Sequence, residues 1–425
     1  MLKVGHYVKR PGRKPADPPI TIPVAEELET VPGIPTNKQD VEWYSREYPL
    51  ETINITERAG RDWSNQIRDL DPEMLDIRVE HEHLNKKLVQ SARETGDIEP
   101  TGEPTGEDVT SKIKAEARKL GFGEVGITKY DPHYTYQSKK RWVKYPNAIC
   151  LAYEQAYEPT QTIPHVRAEI VHSSTYRVET EAALELAHYI RSLGYHAQVC
   201  HPTDPVVPFI PMFVEAGLGQ LGANGQLLSP HFGSRARLMI ITTDARLSYD
   251  QPIDYGIHKF CQVCQVCVNR CPGRALMREK VWWRGIEKNK LVYKRCRPVM
   301  ARYQGCGVCM KVCPIQKYGM KSVMEHYVST GQVLGKGTHE LEGYELEGKD
   351  YFGPGKLPTF DSEFFHMPMG TADEHVLAEF KGKYSQIEDR NSPEGQALFE
   401  EFKGKLLSAL SLNPDVEKDD NADYI

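Results

Sequence analysis

The 425 residues predict a mixed helix-and-strand core that carries a separate cysteine-rich module. Three observations predict it. Apolar residues recur at helical spacing at Val109, Ile113, Ala117 and Leu120, and again at Val178, Ala182, Leu186, Tyr189, Ile190 and Leu193. Between and after these segments lie short apolar runs of strand length, Val125–Ile127, Ala148–Tyr153, His196–Cys200 and Leu238–Thr243. Eight of the ten cysteines then fall in one window of 53 residues, from Cys261 to Cys313.

In chain order, the first 40 residues hold seven prolines and little periodicity, the pattern of an extended arm packed on a body or partly disordered. Helical signals lie between polar stretches over Asp40–Arg93, and Thr95–Gly106 has the composition of a linker. Gly121 stops the first core helix and Gly194 the second. The cysteine module occupies about Gly256–Met320. Beyond Gly335 come Gly- and acid-rich sequence, a loop region over Pro354–Pro368, a last helix near Ser392–Leu412 and a solvated acidic tail. The expected units are an arm with helices (1–105), an α/β core (106–255), the cysteine module (256–320) and C-terminal loops with a helix that complete the active-site domain (321–425).

Composition excludes several classes. Lys and Arg total 53 against 59 Asp and Glu, a net charge of −6, which argues against a surface devoted to nucleic acid. No window approaches the run of apolar residues that a membrane helix needs. The basic start, MLKVGHYVKRPGRKPADPP, has neither an apolar core nor an Arg-Arg pair, so a cytoplasmic location is expected.

The cysteines carry the most chemistry. The run Cys261-Gln-Val-Cys264-Gln-Val-Cys267-Val-Asn-Arg-Cys271-Pro272 has bacterial ferredoxin spacing. Cys296, then Cys306-Gly-Val-Cys309-Met-Lys-Val-Cys313-Pro314, repeats its ending with the first cysteine displaced. Three closely spaced cysteines wrap three corners of a cubane, and the one before proline reaches the other cluster. Cys261, Cys264, Cys267 and Cys313 are therefore expected to hold one 4Fe–4S cluster, and Cys271, Cys296, Cys306 and Cys309 the other. Two structural zinc sites would use the CxxC pairs Cys264/Cys267 and Cys306/Cys309, yet give no reason for the third spaced cysteine or for both Cys-Pro endings. Cys150 and Cys200 end apolar stretches and fit core positions. From Cys261 to Met320 there are 13 Lys and Arg against two acids, enough to offset cluster charge and to dock an acidic ferredoxin or flavodoxin.

Gly217-Leu-Gly219-Gln-Leu-Gly222 matches GxGxxG, with Asp244 at 22 residues beyond. A dinucleotide fingerprint follows a strand and opens a helix. Here PFIPMFVEA reads as a loop and short helix, and ANGQLLSPHFGS does not continue as a helix. The glycines are instead candidates for close backbone approach to another large cofactor.

Across about Lys112 to Lys317 the chain resembles the reductive dehalogenases. The residues that carry the resemblance are GFGEVGIT, TYRVETEAALELAHYIRSLGYHA, EAGLGQLGANGQLLSPHFGSRARLMIITTDARLSYDQPIDYGIHKFCQVCQVCVNRCP and the second cysteine run. The resemblance implies an α+β fold, a nitroreductase-like corrinoid-binding domain joined to a ferredoxin-like two-cluster module, with cobalamin bound base-off. No DxHxxG motif occurs, since Asp131-Pro-His133 lacks the glycine, so histidine ligation through it is not expected. The resemblance further implies a tyrosine that protonates the carbon losing halide, here Tyr176, and a basic residue that tunes it, here Arg237 with Arg235 as the close alternative. A fixed cation suits that task by stabilising the phenolate left by proton transfer.

The expected function is removal of halide from an organohalide, an aromatic one by preference. Cob(I)alamin would do the reduction, fed by two 4Fe–4S clusters and a soluble ferredoxin- or flavodoxin-type donor. Two other functions compete. An epoxyqueuosine reductase, which modifies tRNA, would place an aspartate in an Asp-Tyr-His setting near Ser173-Ser-Thr-Tyr176-Arg177, where this chain has no carboxylate. A non-catalytic electron carrier would need the clusters alone and leave AGLGQLG and GSRAR without a role.

Overall fold

The computed structural model describes residues 20–37, 87–135, 139–202, 206–283, 285–303, 305–346, 348–365 and parts of 383–401. The acidic tail, most of Asp40–Arg93 and the end of the last helix lie outside the described residues.

At the centre are four strands, β1 (Glu124–Lys129), β2 (Asn147–Glu154), β3 (Ala197–Cys200) and β4 (Ala236–Thr243), in the order β1-β2-β4-β3. All neighbours run antiparallel; Cys150 faces Gly126 on one side and Ile240 on the other. The apolar runs are continuous because both faces are covered. Ile149, Leu151, Met239 and Ile241 pack with Ile113, Leu186 and Ile190 from α1 (Thr110–Lys119) and α2 (Val166–Ser192). Ala148, Cys150, Ala152 and Ile240 pack instead with Met212 and Phe213 of α3 (Phe209–Glu215). Cys150 and Cys200 are both core residues.

Both edges of the sheet are covered. Asp250 holds β1 through Ile127 N at 2.7 Å and pairs with Lys114 at 2.6 Å. On the other edge Thr95 Oγ1 accepts from Val199 N at 2.8 Å, and Thr101 and Gly102 donate to Arg191 O. The stretch read as a linker thus seals a strand edge, which would otherwise expose unpaired backbone groups. The helix α2 also begins about three turns earlier than its apolar period indicates, so Tyr176 lies inside it rather than just before it. His165 caps it, its Nδ1 accepting from Arg167 N at 3.2 Å.

The cysteine module follows as α4 (Ile257–Cys264), α5 (Val266–Arg270), a hairpin of β5 (Leu276–Trp283) and β6 (Ile286–Leu291), α6 (Tyr293–Arg302), α7 (Val308–Lys311), α8 (Pro314–Tyr318) and α9 (Met320–Thr330). The hairpin accounts for the displaced Cys296: it is inserted between Cys271 and the helix that returns Cys296 to the other thiols. The N-terminal arm runs along this hairpin, Asn37 N donating to Gly285 O at 2.7 Å and Glu287 N to Pro35 O at 3.1 Å.

Arg270 ties the module to the C-terminal segment. Its guanidinium donates to Glu342 O at 3.0 Å, Lys356 O at 2.6 Å and Phe352 O at 2.9 Å, and lies 4.9 Å from the Tyr344 ring centre. The side chain is fully buried, and removing it leaves the Glu342 carbonyl, with which it makes a buried bond, without its donor. Arg270→Ala is expected to cost about 3 kcal/mol or more, seen as a lower Tm. Iron content should fall with it, because the next residue is Cys271.

Candidate active site

The eight thiols gather as two sets. Cys261, Cys264, Cys267 and Cys313 border one small pocket together with Ala223 and Leu228. Cys267, Cys271, Cys296 and Cys309 pack around Ala275 and Leu276, and Cys306 and Cys309 lie within electrostatic reach of Cys271 and Cys296. Cys267 and Cys309 feel each other across the two sets. Among the described residues no three His, Cys, Asp or Glu side chains converge on a point for a single ion; the first set borders a small pocket instead.

Local backbone explains the arrangement. Gln265 at φ 54° and Cys306 at φ 53° are non-glycine residues in the left-handed region, turning the chain between successive cysteines. Amides point at sulfur, Ala223 N to Cys261 Sγ at 3.4 Å and Ala275 N to Cys271 Sγ at 3.3 Å. Burial pushes the Cys313 thiol up to about 12 and the Cys264 and Cys306 thiols well above their ordinary value. Without metal these three thiols keep their protons, and metal loading must displace them. Four sulfurs to a set, with backbone donors aimed at them, fit 4Fe–4S clusters.

A second space, a cavity of about 370 Å³, is lined by Tyr176, Phe209, Gln226, Leu227, Ser234 and Arg237 among others. Tyr176 comes from α2 and Arg237 from β4, where it pairs in register with Tyr153. The Arg237 guanidinium carbon lies 5.6 Å from the Tyr176 ring centre. Arg237 donates to His172 Nε2 at 3.3 Å, and His172 Nδ1 meets Glu169 at 3.3 Å, so His172 is held with its proton on Nδ1. His201 also lies near Tyr176, ring centres 6.5 Å apart, with Nε2 2.9 Å from Thr180 Oγ1. Thr180 in turn donates to Tyr176 O at 2.6 Å. No acidic residue lines the cavity among the described residues.

The two candidate arginines part company. Arg235 is fully buried and pairs with Glu154 Oε1 at 2.7 Å and Gln155 O at 2.8 Å, over the Tyr157 ring. Arg237 alone of the two lines the cavity. Arg235→Gln should therefore lower stability by about 3 kcal/mol with little change in turnover. Arg237→Gln should leave Tm near its starting value and slow turnover by roughly 10²-fold. Melting curves and kcat on the same preparations check the pair.

The glycines of GxGxxG do not line the cavity. The preceding segment is the short helix α3, as its sequence indicates, and Gly222 opens a turn between two short paired strands, Gln220–Leu221 and Leu227–Leu228. Gly217 sits at φ 72°, where a Cβ would stand 2.4 Å from Gln251 O, and at Gly219 it would stand 2.4 Å from Leu228 O. The close approach that demands glycine is made by the chain itself. The same loop is nevertheless the link between the two spaces: Ala223 and Leu228 back the first thiol set, while Gln226 and Leu227 face the cavity. Asp131-Pro-His133 forms a separate exposed turn, His133 Nδ1 on Asp131 at 2.7 Å.

Sequence reasoning missed His172, Thr180, His201 and Ser234. His172 and Thr180 stand four residues either side of Tyr176, a signal that becomes readable once the helix is known to run through it.

No family model matches the chain. A tetrachloroethene reductive dehalogenase of Dehalobacter restrictus is 29% identical over 219 residues, covering 41% of this chain and 39% of that protein. Over about two fifths of its length the chain is similar to reductive dehalogenases. A solved structure of a catabolic reductive dehalogenase in complex with 3-bromo-4-hydroxybenzoic acid aligns over 81% of this chain and 56% of that one, with a TM-score of 0.59 at 21% identity, which shows a shared fold. An epoxyqueuosine reductase of Lactococcus garvieae matches a shorter stretch, 124 residues at 32% identity, covering 25% of this chain and 32% of that protein. Matched stretches thus span about two fifths or less of these curated relatives. Among the described residues no helix is long and apolar enough to cross a membrane.

Proposed function

We propose that this chain carries out reductive dehalogenation of an organohalide, with an aromatic halide as the preferred class, using a corrinoid and two 4Fe–4S clusters. The observation that carries the proposal is the meeting of Tyr176 and Arg237 at one cavity whose bordering loop also backs the first thiol set. A cavity of about 370 Å³ is within the usual range for small-molecule sites, and its apolar Phe209, Leu227 and Leu238 suit a halogenated ring. The related dehalogenase solved with 3-bromo-4-hydroxybenzoic acid supports the same class.

The two thiol sets fit the clusters, as their amide-to-sulfur bonds indicate. For the corrinoid, Ser234 Oγ and Arg237 Nε are buried without a partner beside the cavity, polar atoms that await a ligand. A whole corrinoid with its nucleotide tail exceeds the cavity, so these residues would hold one edge of it. When bound, the corrinoid supplies the low-potential centre at which the carbon–halogen bond is reduced.

The chain's own residues do the rest. Tyr176 holds the proton on its phenol oxygen and delivers it to the carbon that loses halide. Arg237 stabilises the resulting phenolate. The balance is two electrons and one proton in, a carbon–hydrogen bond formed, a carbon–halogen bond broken and halide released. Electrons enter from an acidic soluble carrier of ferredoxin or flavodoxin type, drawn by the excess of 13 basic residues over two acids in the module. With clusters bound, Cys267 and Cys309 would be the thiols that bring the two sets together, and the set containing Cys261 would be the one to serve the cavity, because its pocket shares the loop with it.

An epoxyqueuosine reductase needs a carboxylate at the reacting carbon, and Ser173-Ser-Thr-Tyr176-Arg177 offers a tyrosine and no carboxylate there, which favours the dehalogenase. An electron carrier would not need the paired Tyr176 and Arg237. The test is anaerobic halide release from a halophenol panel by the cluster- and corrinoid-loaded protein. Release that scales with enzyme supports the reading; none across the panel sinks it.

A further inference from the structure

One buried group has no place in this chemistry. Glu179 is 0% exposed, and neither carboxyl oxygen has a hydrogen-bond partner. It sits three residues beyond Tyr176 on α2, hence on the same side of the helix. Arg237 is the charge that acts on it, from the neighbouring strand. The two do not form an ion pair among the described residues, although Arg237 Nε is itself buried without a partner. The contacts Arg237 does make are the Tyr176 ring, His172 Nε2 at 3.3 Å and Met310 Sδ at 4.0 Å, none of them anionic.

An ionised carboxylate stripped of water and of every hydrogen bond is among the most costly groups a protein can bury, and such a group takes up a proton instead. Burial accordingly holds the Glu179 carboxyl well above the usual carboxylate range, and Arg237 opposes this only in part. The charge that acts on Glu179 is Arg237 on β4; the titratable groups next to Arg237 and Tyr176 are His172, on the same helix as Glu179, and His201, just past the end of β3.

We propose that Glu179 is a positioning residue that stays neutral beside Arg237, so that the guanidinium keeps its full positive charge for the phenolate of Tyr176 and for the departing halide. Were Glu179 ionised, it would pair with Arg237 and cancel the field at the cavity. A glutamate here makes the strength of that field depend on pH: at high pH Glu179 loses its proton and the charge of Arg237 is spent on it. The role in turnover rests on the dehalogenase reading; the neutral state of the side chain does not.

The first arm needs no activity. A carboxyl whose folded pKa lies above its unfolded value keeps, in the folded chain, a proton that the unfolded chain gives up above about pH 4. Its contribution to stability therefore falls as pH rises. Glu179→Gln fixes the neutral form, so the Tm of E179Q relative to wild type should climb from pH 5 to pH 8 in the cluster-loaded protein. Glu179→Met removes the same titration and carries the test if E179Q folds poorly. A Tm difference that does not change with pH overturns the proposal.

The second arm is the pH profile of kcat for halide release. Wild type should decline on the alkaline side, and E179Q should carry turnover to higher pH. Superimposable profiles overturn the role in turnover. A protein that passes the melting arm and releases no halide at any pH fails the dehalogenase reading instead, so the two failures are distinguishable.

Discussion

Tyr176→Phe is expected to retain iron and corrinoid and to lose about 10²- to 10⁴-fold in halide release, the range that a positioned general acid contributes. The change removes one oxygen and leaves the ring that Arg237 lies over at 5.6 Å and that His172 packs against at 5.0 Å. Tm should therefore move little, and the loss should appear in kcat rather than in binding. Halide release and metal content measured on the same preparation check it. An unchanged rate would remove Tyr176 from the chemistry, and a matching loss of corrinoid would make its role structural.

The second large effect is expected at the thiols. Cys309→Ser should lower iron from about eight atoms per chain toward about four, and should cost stability because cluster binding is folding energy for the module. The position is demanding on both counts. Cys309 stands with Cys271, Cys296 and Cys306 in one set and within reach of Cys267 and Cys313 in the other, so its loss disturbs the contact between the two sets as well. Iron analysis, with electron paramagnetic resonance of the reduced protein, should show one cluster signal where wild type shows two interacting ones. Full iron in C309S would refute the ligand assignment.

How far these sites were legible in the sequence depended on what each residue touches. The four strands of the central sheet were readable to within two residues because β2 and β4 are covered on both faces, which leaves uninterrupted apolar runs, whereas the half-exposed, charged hairpin of β5 and β6 has no such run and was not. The cysteine spacing was readable because a cubane imposes it on a short loop. The first three turns of α2 were not, since the side of the helix that carries His172, Tyr176 and Glu179 turns polar groups toward the cavity and β4, breaking the apolar period. Thr95 was equally hidden: a threonine that seals a strand edge looks in sequence like a linker residue. Glu179 could not be found at all from sequence, because TYRVETEAALE has the composition of an exposed helical surface and only burial separates it from its neighbour Glu181, which pairs with Arg177 at 3.1 Å. The choice between Arg235 and Arg237 needed the sheet, where one meets Glu154 and the other the cavity.

Iron and cobalt content per chain, after anaerobic expression with cobalamin supplied, decides whether this protein is a corrinoid reductase. That function requires about eight iron and about one cobalt. About eight iron with no cobalt, when uptake of the supplied cobalamin has been verified, would contradict it: the chain would then be an electron carrier, and the cavity beside Tyr176 and Arg237 would hold something other than a corrinoid.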